Sequence, residues 1–184
     1  NQAGTSTDLR FDYAFTSDKR DRRFMPTGGY LTSFFQELPI YADQPHIRNS
    51  FSTNHYKEFS EDLIGALKFG ASAVNGLGDE DVRISQRLDL SSKKLRGFEQ
   101  GKVGPKDGDD FIGGNYMTAI NFTSTLPQIL ENSQSTDFII FLDMANVWGV
   151  DYDSSLDDNE IRSSIGIGLD WYSPIGPVSY THLR

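Results

Sequence analysis

The chain has 184 residues, 17 Lys and Arg against 26 Asp and Glu, a formal net charge of −9, no Cys, 17 Gly and 7 Pro. The length suits one domain or part of one. The acidic balance offers no basic patch to neutralise phosphates and so excludes a nucleic-acid partner, and the missing thiols exclude disulfides and thiolate metal sites. No uninterrupted apolar stretch of about 18 residues crosses a bilayer as a helix, yet a transmembrane β-barrel passes this screen, because only alternate residues of its strands meet lipid.

Residues 8–16 alternate with period two: Phe11, Tyr13 and Phe15 share one face, and Arg10, Asp12 and Ala14 the other, which predicts a strand. Residues 30–40 and 51–60 read as strands with weaker alternation. Residues 63–74 place Leu67, Phe69, Ala71 and Ala73 opposite Lys68 and Ser72; a helix fits there too, although Gly65 and Gly70 disfavour it. Residues 113–126 alternate loosely through Tyr116, Thr118, Ile120 and Phe122. Residues 137–148 oppose Phe138, Ile140, Leu142 and Met144 to Asp143 and Ala145. In residues 162–172, Ile165, Ile167, Leu169 and Trp171 oppose Arg162, Ser164, Gly166, Gly168 and Asp170. Residues 178–184 begin another strand or lie outside the fold.

That makes about seven strands and a stub, several longer than the roughly 5 to 6 residues usual in soluble sheets and long enough to cross a bilayer at a tilt. Tyr30, Trp148, Trp171 and Tyr172 fall near strand ends, where interfacial aromatic girdles belong. Short connections near 61–62 and 174–177 contrast with long ones at 75–112 and 149–161, although 17–29 and 41–49 are intermediate. The competing reading is a large soluble antiparallel sheet. Asn1 is followed by polar residues rather than by a basic and then apolar leader, so an exported barrel here is expected to be a fragment or a mature chain.

The longest connection carries Leu95, Arg96, Gly97 and Phe98, then Gly101 to Pro105, then Gly113, Gly114 and Asn115 entering a strand. This resembles the loop-six motif of the BamA family of outer-membrane assembly factors, in the bacterial surface antigen superfamily. Three further landmarks follow in the family's order: Asp21 to Gly29 as an inter-strand turn, Phe141 to Trp148 as a strand with an inward Asp, and the segment from Ile161 to Pro177. The resemblance implies an all-β fold: an antiparallel transmembrane β-barrel, of which residues 1–178 supply about seven of sixteen strands. Loop 75–112 folds inward as a lumenal plug. Residues 179–184 do not continue the family's expected strand and read as a truncated or non-native tail.

The same resemblance makes Asp143 the lumen partner of Arg96. The family commonly adds a Glu on the strand after the loop; counting from Gly113, Gly114 and Asn115, that position here is Thr123. One carboxylate and one hydroxyl thus stand where two acids are usual. A wide barrel has a lumen that wall side chains cannot fill, and a loop cation entering it needs a carboxylate, since an unpaired buried charge is costly. The competing reading of the motif is an exposed loop with a solvated Arg.

The function implied is the barrel part of a factor that folds and inserts β-barrel proteins into the outer membrane of a Gram-negative bacterium. Its partners would be the lipid bilayer, unfolded outer-membrane clients and, through other parts, accessory assembly lipoproteins. A two-partner secretion transporter of the same superfamily and a passive porin-like barrel are the alternatives. No catalytic set is visible: His46, His55 and His182 lack metal-ligand spacing. Asp107, Asp109 and Asp110, and the acids from Asp151 to Glu160, lack calcium-loop spacing and read as solvated loops. Neither enzyme activity nor a cofactor is expected. The acidic loops at 79–81 and 149–161 are expected on the extracellular side, and the turns at 21–29 and 174–177 on the other.

Overall fold

The computed structural model describes residues 7–61, 63–126, 136–173 and 176–183. Its strands are β1 (Asp8–Asp18), β2 (Gly29–Ala42), β3 (His46–Ser60), β4 (Leu63–Gly76), β5 (Lys106–Asp107), β6 (Asp110–Phe111), β7 (Tyr116–Thr125), β8 (Thr136–Trp148), β9 (Arg162–Ser173) and β10 (Gly176–Leu183). Eight of them form one sheet in the order β1-β2-β3-β4-β7-β8-β9-β10, and β5 and β6 form a small hairpin inside the long loop. Every pairing is antiparallel. The sheet does not close on itself among these residues.

Directly opposed residues of antiparallel strands share a face, so each face can be followed from strand to strand. Leu67, Phe122, Leu142 and Ile165 stand in one row across β4, β7, β8 and β9, and all four are exposed. One residue over, on the opposite face, Lys68, Asn121, Asp143 and Ser164 form the matching row, and Asp143 is fully buried. A water-soluble sheet hides its apolar row. Here the apolar row is bare and the polar row lies under the loop, the inversion that a wall facing lipid requires.

Residues 63–76 are a strand, not a helix, because β3 and β7 bond to both of its edges. The glycine that weakens a helix costs little there: a Cβ on Gly65 would stand 2.6 Å from the Phe59 ring. Of the two readings of residues 178–184, a further strand or a segment outside the fold, the pairing takes the strand. Gly176 to Leu183 pairs with Ser173 back to Gly166 without a register shift, so residues 179–183 lie in the sheet. Ladder bonds are made by backbone groups, and an irregular side-chain pattern does not prevent them. The turn at 174–175 and Arg184 lie outside the described residues, as do Asp62 and 127–135.

Strand alternation puts residues 77–115 and 149–161 at one rim of the sheet, with 43–45; the turn 19–28 lies at the other rim. The long loop folds back onto the polar face. Val82, Leu88, Leu90, Leu95 and Val103 pack on Val74, Met117, Ala119, Ala145 and Val147 in one buried cluster. Leu95, fully buried, contributes about 1.5–3 kcal/mol by leaving water.

Candidate functional site

The loop delivers Arg96 to the middle of β8. Arg96 Nε donates to Asp143 Oδ2 at 2.6 Å and Nη2 donates to Oδ1 at 2.6 Å, a two-pronged grip on one carboxylate. The Arg96 backbone N–H adds a bond to Oδ2 at 3.1 Å, and Asn121 Nδ2 donates to Oδ1 at 2.8 Å. Asp143 thus accepts four hydrogen bonds with no exposed surface, which compensates the burial of its charge. The guanidinium lies over the Phe141 ring at 3.6 Å from its centroid, and Nη2 reaches Thr123 Oγ1 at 3.3 Å.

The neighbouring motif residues set this geometry. Gly97 has φ +88, in the left-handed region that a side chain disfavours, and so reverses the chain directly after Arg96. Leu95 enters the buried cluster and Phe98 packs against its edge, one on each side of the Arg. Asn121 also donates to Lys94 O at 2.8 Å and so ties the loop backbone to β7. Burial lowers the Lys94 ammonium pKa, with Asp89 opposing. Leu95, Arg96, Gly97, Phe98, Thr123 and Asp143 therefore meet in one place. Asn121 and Phe141 complete the group. Asn121 is legible by register once Asp143 is chosen, since the two are direct cross-strand partners.

A second ion pair, absent from the sequence reading, sits at the rim. Arg87, with its side chain almost fully buried, binds the Asp151 carboxylate and stacks 4.9 Å from the Tyr152 ring centroid. Asp151 Oδ2 also accepts from Val82 N at 2.7 Å and from Asn115 Nδ2 at 3.0 Å. The cluster from Asp151 to Glu160 is thus not simply solvated: Asp151 joins residues 149–161 to both ends of the long loop. Asp157 accepts from Gly149 N at 2.7 Å, and Asp158 and Glu160 pair with Arg162. Partial burial raises the Asp151 pKa, but the bonds from Asn115 and Val82 and the Arg87 charge outweigh it and leave the carboxyl below its ordinary value.

At the opposite rim, Asp21 closes the turn 19–28. Its carboxylate accepts from Thr27 Oγ1 at 2.8 Å, Thr27 N at 3.1 Å and Gly28 N at 3.1 Å, which hold its pKa down to about 2. His46 lies near Glu37 and His55 stacks on Tyr30. Among the described residues no three metal-binding side chains gather.

The family model for the Omp85 superfamily domain matches residues 1–181. Curated relatives include an outer membrane protein assembly factor BamA of Neorickettsia risticii, 28% identical over 96% of this chain and 24% of that protein. The BamA of Neisseria meningitidis is 24% identical over 90% of this chain and 25% of its own length. A SAM50-like protein of Schizosaccharomyces pombe is 28% identical over 68% of this chain and 28% of its own. Among solved structures, Haemophilus ducreyi BamA lacking POTRA domains 1–3 superposes with a TM-score of 0.87 at 25% identity, covering 97% of this chain and 39% of that one. The chain therefore spans about a quarter of the length of these curated relatives.

Proposed function

The chain belongs to the Omp85 superfamily, and on that premise we propose that it is part of the β-barrel of an outer-membrane assembly factor that folds and inserts barrel proteins. Its exposed apolar face meets the bilayer core, and its polar face is the lumen wall. The loop of residues 77–115 is a lumenal plug, pinned where Arg96 grips Asp143. The observation that carries this reading is the inverted sheet: bare Leu67, Phe122, Leu142 and Ile165 on one side, and a buried, four-times-bonded Asp143 on the other.

In this reading the segment does no covalent chemistry. The plug fixes the shape of a wide, otherwise underfilled barrel, and its ion pair decides whether the loop is docked. Unfolded outer-membrane proteins are the clients that the relatives' names imply. Accessory assembly lipoproteins belong to the proposal on family resemblance alone. The test is reconstitution of the full-length protein in vesicles, with folding of an added barrel client followed by its gel mobility. The wild type is expected to accelerate client folding, and Arg96→Ala to lose most of that acceleration. An Arg96→Ala protein that inserts clients at the wild-type rate would remove the plug's role.

A further inference from the structure

The membrane-facing side of the sheet carries a hydrogen-bonded polar row, besides the cross-strand pairs Thr32–Thr53 and Thr118–Asn146 on the same face. Tyr13, Gln36 and Asn49 are direct cross-strand partners on β1, β2 and β3. The Tyr13 hydroxyl donates to Gln36 Oε1 at 2.5 Å, and Gln36 Nε2 donates to Asn49 Oδ1 at 2.5 Å. Register continues the row from Asn49 to Ala73, Tyr116 and Trp148. An amide on a lipid face is costly unless its hydrogen bonds are met. The Asn49 oxygen is met by Gln36, but among the described residues its Nδ2 protons have no acceptor.

Beside that amide lies a shallow groove of about 350 Å³. Ala71 and Ala73 form its floor, Phe34 and Phe51 one bank, and Tyr116 and Trp148 the other. Tyr116 opens β7 and Trp148 closes β8, so the groove begins at the loop-bearing rim, and their rings lie 5.8 Å apart. That is the level of an interfacial aromatic girdle, where lipid tails begin.

We propose that this groove is a lipid-binding site, holding one ester-linked acyl chain of a bilayer lipid with its ester carbonyl accepting from Asn49 Nδ2. The chain lies over Ala71 and Ala73 between the two aromatic banks. A donor at the rim end of a groove lined mostly by apolar side chains, with Thr118 deeper along it, matches the carbonyl at the head of one chain. A transmembrane protein segment fits less well, because its backbone carbonyls are already paired. This assignment rests on the proposed membrane placement of the wall.

The test uses the full-length protein in phosphatidylcholine vesicles containing a phosphatidylcholine with a diazirine on one acyl chain; labelled residues are mapped after irradiation. Ile165 and Ile167, exposed on the same face of β9, report general contact with lipid. Label at Ala71, Ala73 and Tyr116 is expected to exceed label at those two residues. Asn49→Leu is expected to lower it by about threefold to tenfold, what one hydrogen bond contributes. Ala73→Phe, which fills the floor and leaves the amide row intact, is expected to bring it to the level at Ile165 and Ile167. Even labelling of the wall, or groove labelling that neither variant changes, overturns the site. So does recovery of the groove peptides cross-linked to a second copy of the protein. Label at Ile165 and Ile167 but not in the groove overturns the site alone; label at neither overturns the membrane placement as well.

Discussion

The two guanidinium–carboxylate pairs that hold the long loop use the same chemistry on different supports. Arg96 reaches an acid on a strand held by neighbours on both sides, fully buried and four times hydrogen-bonded. Arg87 reaches an acid on a connecting loop, Asp151, whose side chain is about a quarter exposed. A strand fixes its carboxylate before the loop arrives, so docking costs little further ordering. At the rim, both partners must be ordered together, and more of the gain is offset. The wall pair should therefore dominate docking and the rim pair refine it.

The largest expected effect is at the wall. Losing one partner of a buried pair costs about 3–5 kcal/mol, less here to the extent that lumen water reaches the stranded charge. Asp143→Asn should impair barrel assembly of the full-length protein about as severely as Arg96→Ala, and the double variant should be less than additive, read by gel mobility of the folded barrel. Strictly additive defects would mean that the two side chains do not act as a unit.

Because Thr123 Oγ1 lies 3.3 Å from Arg96 Nη2, Thr123→Glu should place a second acid within reach and restore part of the assembly lost in Asp143→Asn. Arg96→Lys should recover only part of wild-type assembly, since an ammonium lacks the planar fork. Full recovery with Lys would reduce the wall pair to a simple charge contact.

At the rim, Arg87→Met should cost less, about 1–3 kcal/mol, and should show first as faster hydrogen exchange at Val82, whose N–H donates to Asp151. A loss as large as that of Arg96→Ala would erase the ranking of the two anchors. The Asp151 pKa is lowered by folding, so its contribution is present above the usual carboxylate range and is lost as pH falls through the lowered value. Protection of Val82 should decline on acidification in that window and stay flat above it.

The smallest effect belongs to the turn 19–28. Asp21 titrates at about 2 in the folded chain, so its bonds to Thr27 and Gly28 persist through mild acid and fail only near that value. Asp21→Ala should raise exchange at Gly28 and leave Val82 unchanged; coupled changes would mean that the two rims are not independent.

Strand identity was legible because a period of two is a local property: Ile165, Ile167 and Leu169 alternate with Gly166, Gly168 and Asp170 whatever surrounds them. Asp143 was legible as an inward acid by the same parity, and the loop motif marked Arg96 as the residue to pair with it. Four landmarks in family order supplied the architecture. β10 was legible only as one of two readings, because its pairing with β9 uses backbone groups that are alike in every residue. Residues 63–76 were ambiguous for a related reason. Two glycines weaken a helix locally, but the pairing of both strand edges is a tertiary fact.

By itself, then, the sequence determined which faces alternate, which residues carry charge on them and which loop bears the Arg-Gly-Phe signature. Only the tertiary structure decided that Arg87 would meet Asp151, that Asn121 would brace Asp143, and that Asn49 would stand beside a groove floored by Ala71 and Ala73. Those meetings depend on strand register and on how a long loop folds back. Both are set by the summed pairing and burial of many residues distant in sequence, which no local period records.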